Sequence, residues 1–259
     1  MMKKFFFLFV AVVCISKAHT QNVGIGTNTP KNSALLEVSS TTKGFLPPRM
    51  LASQRNAIAL PDTGLIIYCT DCGTNGGEPE YYNGTAWVNM IGGPAAAPLA
   101  IGNSYKGGKI AYIFQPGDPG YIAGQVHGLI AAPFDQSPVI LWEEGQNITG
   151  ATATGLGTGN ANTNTIVTVQ GPGTYAAFLC SDLELNGYSD WYLPSKDELD
   201  KLAQNQNVIG NFNTVGYWSS SEFLDSGGYA WAQHFSGSGG SQVTEPKNVA
   251  NAVRAVRTF

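Results

Sequence analysis

The sequence contains few charged residues and very few histidines. Only 12% of its 259 residues are Asp, Glu, Lys or Arg, 3 are His, and the formal net charge is −4. The basic residues form no cluster, so the release of counterions that drives nucleic-acid binding has no source in the chain. We therefore expect no nucleic-acid partner.

Motifs of common catalytic sites are also missing. The chain has no G-x-S-x-G, H-E-x-x-H or Walker-type phosphate loop, and its histidines lie far apart in sequence. The stretch GTGNAN lacks the strand-loop-helix context that a dinucleotide site requires. These absences favour a binding module over an enzyme, and we expect no catalytic residue.

Long apolar runs are scarce, and the clearest one lies at the N-terminus. Lys3 and Lys4 precede an apolar run over residues 5–15 and a small, polar segment at 16–18, which is typical of a secretory signal peptide. The run is too short to span a bilayer, and no later stretch reaches the required length. We expect residues 1–20 to be a signal peptide. The mature chain is then secreted or displayed at the cell surface, without an integral membrane segment.

Cysteine is sparse, with 4 in the chain. Cys14 lacks the small preceding residue expected at a lipid-attachment site. Cys69 and Cys72 form C-T-D-C, a spacing that fits a local disulfide, a redox pair or half of a metal site. The glycine-rich loop that follows favours a loop staple or two idle thiols, and no second pair or nearby His completes a zinc site. Cys180 is then unpaired, on the apolar face of a predicted helix.

What the chain has in abundance is glycine, at 32 residues, together with Ser, Thr and Asn. This composition is typical of short strands joined by turns and long polar loops. We predict a small β-rich, fibre-like module at 21–90, a Pro/Gly/Ala linker at 91–104 and a second domain at 105–259.

The predicted module is small and has few large apolar residues. Strands are predicted at 34–38 and 64–68, with a short helix near 53–58 and a hairpin around Asn83-Gly84. Because these elements enclose little core, the module would gain stability by associating with copies of itself.

Five segments of the module carry a resemblance to a known group of proteins. They are VGIGTNTP, ALLEVSSTTKGFLPPRM, QRNAI, TGLIIYCTD and YYNGTAWV. The region resembles the N-terminal part of secreted Bacteroidota proteins that look like phage tail fibres. The resemblance implies a trimeric stalk or base, so we expect a homotrimer.

The segment GYSDWYLPSKDEL, residues 187–199, concentrates acidic residues that could be catalytic or structural. Ser195 followed by Glu198 predicts a capping box, in which each side chain accepts the other residue's amide hydrogen at a helix start. Leu199 begins the apolar face of the helix, and Trp191 is placed to pack onto that face. We therefore interpret the acidic residues as helix-start residues.

Other segments of the second domain predict one more helix and several strands. Thr174 can cap a helix that ends near Gly187, and GYWSSSE, GGYAWAQHFS and NAVRAVRTF predict strands. The pattern indicates an α+β fold, with two short helices against small antiparallel sheets.

The motifs of residues 105–259 occur in an order that resembles the Lcl C-terminal domain family. They include GGKIAYIF, HGLIAAP, ILWEEG, GYSDWYLPSKDEL, GYWSSSE and the terminal VRAVRTF. The resemblance implies a C-type-lectin-like fold, displayed as a trimer on a fibre-like stalk, and one member type binds sulfated glycans as an adhesin. This chain departs from that member type in having no collagen repeat and an acidic composition. Formylglycine-generating enzymes share the topology but use paired cysteines, which this domain lacks.

Candidate ligand-binding residues are those that place aromatic and polar side chains together, a mixture suited to carbohydrate. Aromatic residues also dominate the cores of small domains, and we assign Trp191, Trp218 and Trp231 to the core. The candidates for ligand binding are Trp142, Glu143, Tyr217, Ser220, Glu222 and His234.

Arg254 and Arg257 lie in the apolar terminal strand, where one of them must point inward. An inward arginine needs a carboxylate partner, and we predict Glu222 for this role. The segment TEPKN at 244–248 resembles the Glu-Pro-Asn element of calcium-dependent lectins, but Lys247 intrudes and the convergent oxygens of a calcium site are not evident. We expect no cofactor, with calcium as the weaker alternative.

These observations predict an adhesin-like binding protein that recognises a glycan or another cell-surface ligand through its C-terminal domain. One alternative is a structural fibre or matrix component with no specific ligand. An enzyme on the formylglycine-generating scaffold is the third and least supported.

Overall fold

The computed structural model describes residues 22–73, 76–95, 97–123, 125–144, 148–213, 215–223, 227–236 and 239–259. The predicted signal peptide, residues 1–20, lies outside these ranges. The chain divides into two compact units, Met1–Leu46 and Pro47–Phe259. Within the described ranges, no helix has the length and apolar character needed to cross a membrane.

The first unit contains two short parallel strands, β1 (Val23–Ile25) and β2 (Leu36–Val38). Val23 lies opposite Leu36, and Ile25 lies opposite Val38. All four side chains are exposed. Since parallel strands are normally covered on both faces, this unit presents apolar surface that its own residues leave open.

The second unit begins with a four-stranded sheet, and its strand order is β3-β4-β5-β6. The sheet and a short helix enclose a small core of Ala52, Ile67, Cys69 and Cys72, and the two cysteines form a disulfide. The predicted helix, second strand and hairpin are all present. The elements are β3 (Arg49–Met50), α1 (Ala52–Asn56), β4 (Ile66–Cys69), β5 (Glu78–Tyr82) and β6 (Trp87–Asn89).

Described residues of the predicted linker are bonded to this sheet. The Leu99 amide donates to the Asp71 carbonyl at 3.0 Å, and Pro98 bridges to Cys72. Beneath them, the Arg55 guanidinium lies 2.6 Å from the buried Glu80 carboxylate. Cys69, Cys72 and Glu80 are close enough to hold a metal ion, but the sulfurs are bonded to each other and Glu80 is paired.

The remainder of the second unit is α+β, as predicted. A four-stranded sheet has the order β15-β9-β8-β7, and a five-stranded sheet has the order β10-β14-β11-β12-β13. The elements are β7 (Ser104–Tyr105), β8 (Gly108–Ile113), β9 (Gly128–Ala131), β10 (Ser137–Leu141), α2 (Gly159–Gln170), α3 (Ala176–Ser181), α4 (Lys196–Gln204), α5 (Gln206–Ile209), β11 (Gly216–Phe223), β12 (Tyr229–His234), β13 (Ser241–Pro246), β14 (Ala250–Val253) and β15 (Val256–Thr258).

The core between these elements is rich in tryptophan. Trp218 and Trp191 are buried as predicted, whereas Trp231 is half-buried at the edge of the core. The Trp218 indole donates to the Ile140 carbonyl at 3.0 Å, and the Trp142 indole donates to the Ser219 carbonyl at 2.7 Å. These bonds satisfy the polar atom of each buried ring and connect β10 and the residue after it to β11.

Helix α2 was not predicted, because its sequence GNANTNTIVTVQ is poor in strong helix formers. Its threonine hydroxyl groups donate hydrogen bonds to backbone carbonyls one turn earlier in the helix. Thr163 donates to Gly159, Thr165 to Ala161 and Thr168 to Asn164, at 2.7 to 2.9 Å. Since these bonds satisfy the side chains inside the helix, packing rather than propensity decides the conformation.

Two other elements have different limits from those predicted. The N-cap of α3 is Tyr175, not Thr174, and the helix ends at Ser181 rather than near Gly187. The terminal segment NAVRAVRTF forms two strands in different sheets, β14 and β15, and Arg254 lies between them.

Candidate functional site

Five of the six predicted ligand-binding side chains lie in the interior. Trp142, Glu143, Tyr217, Ser220 and Glu222 are each 3% exposed or less, whereas the His234 side chain is 41% exposed. The structure therefore does not bring the six residues together at an open surface. His234 lies on β12, where its Nε2 is 2.9 Å from the Glu245 carboxylate of β13.

The buried Glu222 carboxylate belongs to a cluster around Lys247. The Lys247 ammonium lies 2.5 Å from Glu222, 3.3 Å from Glu143 and 4.5 Å from the centre of the Trp142 ring. The predicted partnership of Glu222 with a terminal arginine is therefore wrong. Lys247 directly follows the end of strand β13, and its inward direction depends on contacts across the fold.

Backbone amides complete the surroundings of Glu222. Its carboxylate accepts the Thr149 amide at 3.0 Å and the Gly150 amide at 2.7 Å. Burial alone raises the pKa of Glu222, but the Lys247 ammonium and the two amides outweigh burial and hold the pKa below its ordinary value. Glu222 is therefore a charged anchor that ties the 149–150 segment to β11.

Both terminal arginines are buried, and each has its own aspartate. Arg254 is 0% exposed, and its guanidinium lies 2.6 Å from Asp135 and 4.2 Å from the centre of the Phe212 ring. Arg257 is paired with Asp190 at 2.6 Å, but the Asp190 side chain is 54% exposed. The two arginines point inward on different sides because β14 and β15 belong to different sheets.

The predicted capping box of α4 is present, and its carboxylate also holds a loop. Glu198 accepts the Ser195 amide at 2.8 Å and the Gly157 amide at 2.9 Å, while the Ser195 hydroxyl donates to the Gly155 carbonyl at 2.9 Å. Burial raises the pKa of Glu198, although the amide hydrogen bonds oppose this effect. The box has a structural role, in agreement with its sequence pattern.

Replacing Ser195 by alanine should lower the free energy of unfolding by about 1–2 kcal/mol, because the helix loses its cap and the Gly155 carbonyl loses a donor. Urea denaturation of the mature chain measures the change, with Ser189→Ala as a control in a loop residue. A loss of ligand binding at unchanged stability would contradict the structural role.

Apolar side chains are exposed over much of residues 23–66. Leu35 is 74% exposed, and Phe45 and Leu46 are each 69% exposed. Monomeric soluble proteins rarely leave so many large apolar groups in water over a short stretch of chain. The other exposed apolar residues of this stretch are Val23, Ile25, Leu36, Val38, Leu60, Leu65 and Ile66.

Two surface cavities of about 540 and 730 Å³ share His127 and Phe259 as walls. The larger is mainly apolar and is lined by Phe114, Pro119 and Leu156, among other residues. The smaller, which we call the seam groove, is lined by the two shared residues and by Arg49, Tyr68, Thr70, Gly76, Leu99, Tyr105, Lys106, Ala123, Gln125 and Val126.

Residues 24–104 match the family described as a phage tail like trimerisation region, and residues 134–257 match the Lcl C-terminal domain. The chain therefore joins a tail-like trimerisation region to an Lcl C-terminal domain. No curated protein matches the chain.

The trimerisation region contains all of the exposed apolar residues described above except Val23, which directly precedes it, and it indicates a homotrimer. Its match extends through the predicted linker to residue 104. The two matched regions together fit a surface or fibre-like protein.

Residues of the seam groove were missed in the sequence because they are not neighbours along the chain. Arg49 and Tyr68 come from the trimerisation region, whereas Lys106 and His127 precede the Lcl domain. Arg49, Tyr68 and His127 lie within motifs that carry the family resemblances, and Lys106 directly precedes one. The signal in the sequence that could have pointed to the groove is the basic character of Arg49 and Lys106 in a chain with few charges.

Proposed function

We propose that the protein is a secreted, surface-displayed trimer that acts as an adhesin-like binding protein for a glycan or another cell-surface ligand. It works as a binding module without catalytic chemistry or a required metal. The observation that carries the proposal is the exposed apolar surface of the trimerisation region. A partner must cover this surface, and the matched family indicates that the partner is another copy of the same chain.

Three copies would cover this surface and hold three Lcl domains on one assembly. Individual glycan sites on lectin-like surfaces are shallow, so display in threes would raise the apparent affinity for a ligand-bearing surface. Linked sites commonly gain a factor on the order of a hundred or more without any new contact. This gain suits a protein that attaches to repeated ligands.

Introducing charge into the apolar surface should convert the trimer to monomers. We expect light scattering of residues 21–259 to give a threefold mass for the unaltered chain and a single mass for the Phe45→Asp/Leu46→Asp variant, because aspartate is costly to bury unpaired. Val139→Asp is the matched control, since Val139 is also apolar and is 68% exposed outside the trimerisation region. It should remain trimeric.

The same three proteins, applied to a glycan array and to intact cells, test recognition. The trimer and its control should bind, and the monomeric variant should bind at least tenfold more weakly because avidity is lost. A monomeric unaltered chain at micromolar concentration would remove the trimer proposal. A trimer that binds no glycan and no cell surface would instead be a structural fibre component.

A further inference from the structure

The first wall of the seam groove is built by two neighbouring strands. Strands β3 and β4 are parallel, and Arg49 lies opposite Tyr68. Because side chains alternate along a strand, Tyr68 and Thr70 share one face of the sheet, while Ile67 and Cys69 are buried on the other. Arg49, Tyr68 and Thr70 therefore line the groove together.

The second wall is the turn between β7 and β8. Lys106 has a φ of 40°, which is unusual for a residue with a side chain. Its carbonyl accepts a hydrogen bond from the Arg257 guanidinium at 3.2 Å. The Lys106 ammonium lies 5.2 Å from the centre of the Tyr105 ring. These contacts fix the turn, so the position of the lysine does not depend on a flexible loop.

The charges along the groove are of one sign. Among the residues that the structure describes, neither Arg49 nor Lys106 forms an ion pair, and the residues lining the groove include no carboxylate. Five of the other described lysines and arginines do pair with a carboxylate. The chain as a whole has a net charge of −4. Two cationic side chains without ion pairs at one cavity therefore favour the binding of an anionic group there.

The groove also contains a buried hydroxyl that lacks a protein partner. The Thr70 Oγ1 atom is inaccessible to water and makes no hydrogen bond within the described residues. Because the atom is closed to water, it is an unsatisfied group within the groove wall rather than a contact for a bound sugar. Tyr68, Tyr105 and Gln125 supply further polar side chains to the lining.

His127 defines the end of the groove. Its Nδ1 is 3.0 Å from the Phe259 carbonyl and its Nε2 is 3.0 Å from the Gln125 side-chain oxygen. A neutral imidazole donates from one of these nitrogens, and that hydrogen bond holds the ring in place as a wall of the groove. The groove volume of about 540 Å³ lies within the usual range of small-ligand pockets, about 300–1,000 Å³.

We propose that the seam groove binds an acidic oligosaccharide of the uronate type, with one sugar carboxylate held between Arg49 and Lys106. A guanidinium matches a carboxylate through two parallel hydrogen bonds, and the hydroxyl groups of Tyr68 and Tyr105 suit the hydroxyls of the same sugar. The inference rests on the proposed function, since it names the ligand class and the place of recognition. It also makes the trimerisation region part of the binding site.

Calorimetric titration of residues 21–259 with an oligogalacturonate of fixed length tests the charge requirement. The methyl ester of the same oligosaccharide is the matched ligand, because it keeps the sugar and removes only the charge. We expect the acid to bind and the ester to bind at least tenfold more weakly. Equal binding of the two would overturn the proposal.

Two variants test the location. Arg49→Met and Lys106→Met should each weaken binding of the acid about tenfold, while Lys109→Met, which removes the same charge three residues from Lys106 and outside the groove, should leave it unchanged. Light scattering and melting curves of each variant show that the trimer is intact. Binding that survives both groove variants at full strength would place the site elsewhere and overturn the inference.

A sulfated oligosaccharide of equal length distinguishes the source of the negative charge. Stronger binding of the sulfated ligand than of the carboxylate would contradict the uronate assignment.

The broader proposal has a separate test, because the glycan array includes neutral sugars. Binding of a neutral glycan that Arg49→Met leaves unchanged would overturn the seam-groove inference and support glycan recognition, whereas no glycan or cell binding by the unaltered trimer would overturn the proposed function.

Discussion

Replacing Lys247 by methionine should lower the free energy of unfolding by about 3–5 kcal/mol. The substitution preserves most of the side-chain volume but removes the only ammonium within 4 Å of both Glu143 and Glu222 among the described residues. Two carboxylates then remain buried beside each other, and breaking a buried ion pair by removing one partner has a cost of this size. Chemical denaturation at neutral pH measures the change.

Two controls show whether charge is the cause. Lys109→Met removes a lysine that has no ion pair among the described residues, and it should change stability by less than about 0.5 kcal/mol. The double variant Glu222→Gln/Lys247→Met should recover part of the loss, because it removes one of the two uncompensated charges. The loss should also shrink as the pH falls and carboxylates take up protons. A loss that is independent of pH and of Glu222 would assign the effect to packing instead.

Arg254→Met is expected to cost about 3 kcal/mol or more. The guanidinium is fully buried and donates to Asp135 at 2.8 Å and to the Ala132 carbonyl at 3.1 Å, with further bonds to the Gly210 and Asn211 carbonyls. Asp135 also accepts the Tyr217 hydroxyl at 2.8 Å. Methionine would leave this carboxylate without its cation and several carbonyls without a donor.

Arg257→Met provides the comparison, since the two arginines lie in the same segment. Asp190, the partner of Arg257, is largely exposed and can be hydrated when the arginine is removed, so this variant should lose only about 1 kcal/mol. Equilibrium unfolding of both variants gives the difference directly. Equal losses, or a loss below about 0.5 kcal/mol for Arg254→Met, would refute a dominant role for the buried pair.

Features that depend on neighbouring residues were predictable from the sequence. The capping box lies within the four residues from Ser195 to Glu198, and the hairpin around Asn83-Gly84 lies within residues 78–89. In both, the residue types and their spacing are sufficient because the bonds form within one local segment. The order of the predicted helices and strands in residues 105–259 then indicated an α+β domain, which the structure confirms.

Features that depend on long-range contacts were not predictable in the same way. Arg254 meets Asp135 across 119 positions, and no spacing rule selects this aspartate over Glu222. Helix α2 forms despite its threonines and asparagines because the fold buries one side of it. The seam groove brings Arg49 to Lys106 through two strands and a turn, so only the tertiary structure reveals two open cations in one cavity.

The placement of the seam groove has a mechanical consequence. Two of its walls are formed by β3 with β4 and by the turn between β7 and β8, and the chain passes directly from the trimerisation region into β7. Tension between a trimeric stalk and an oligosaccharide held in the groove would therefore be carried by these few strands. The five-stranded sheet and the buried cluster of Lys247 lie outside that load path. Attachment under shear would thus spare the largest part of the folded domain from force.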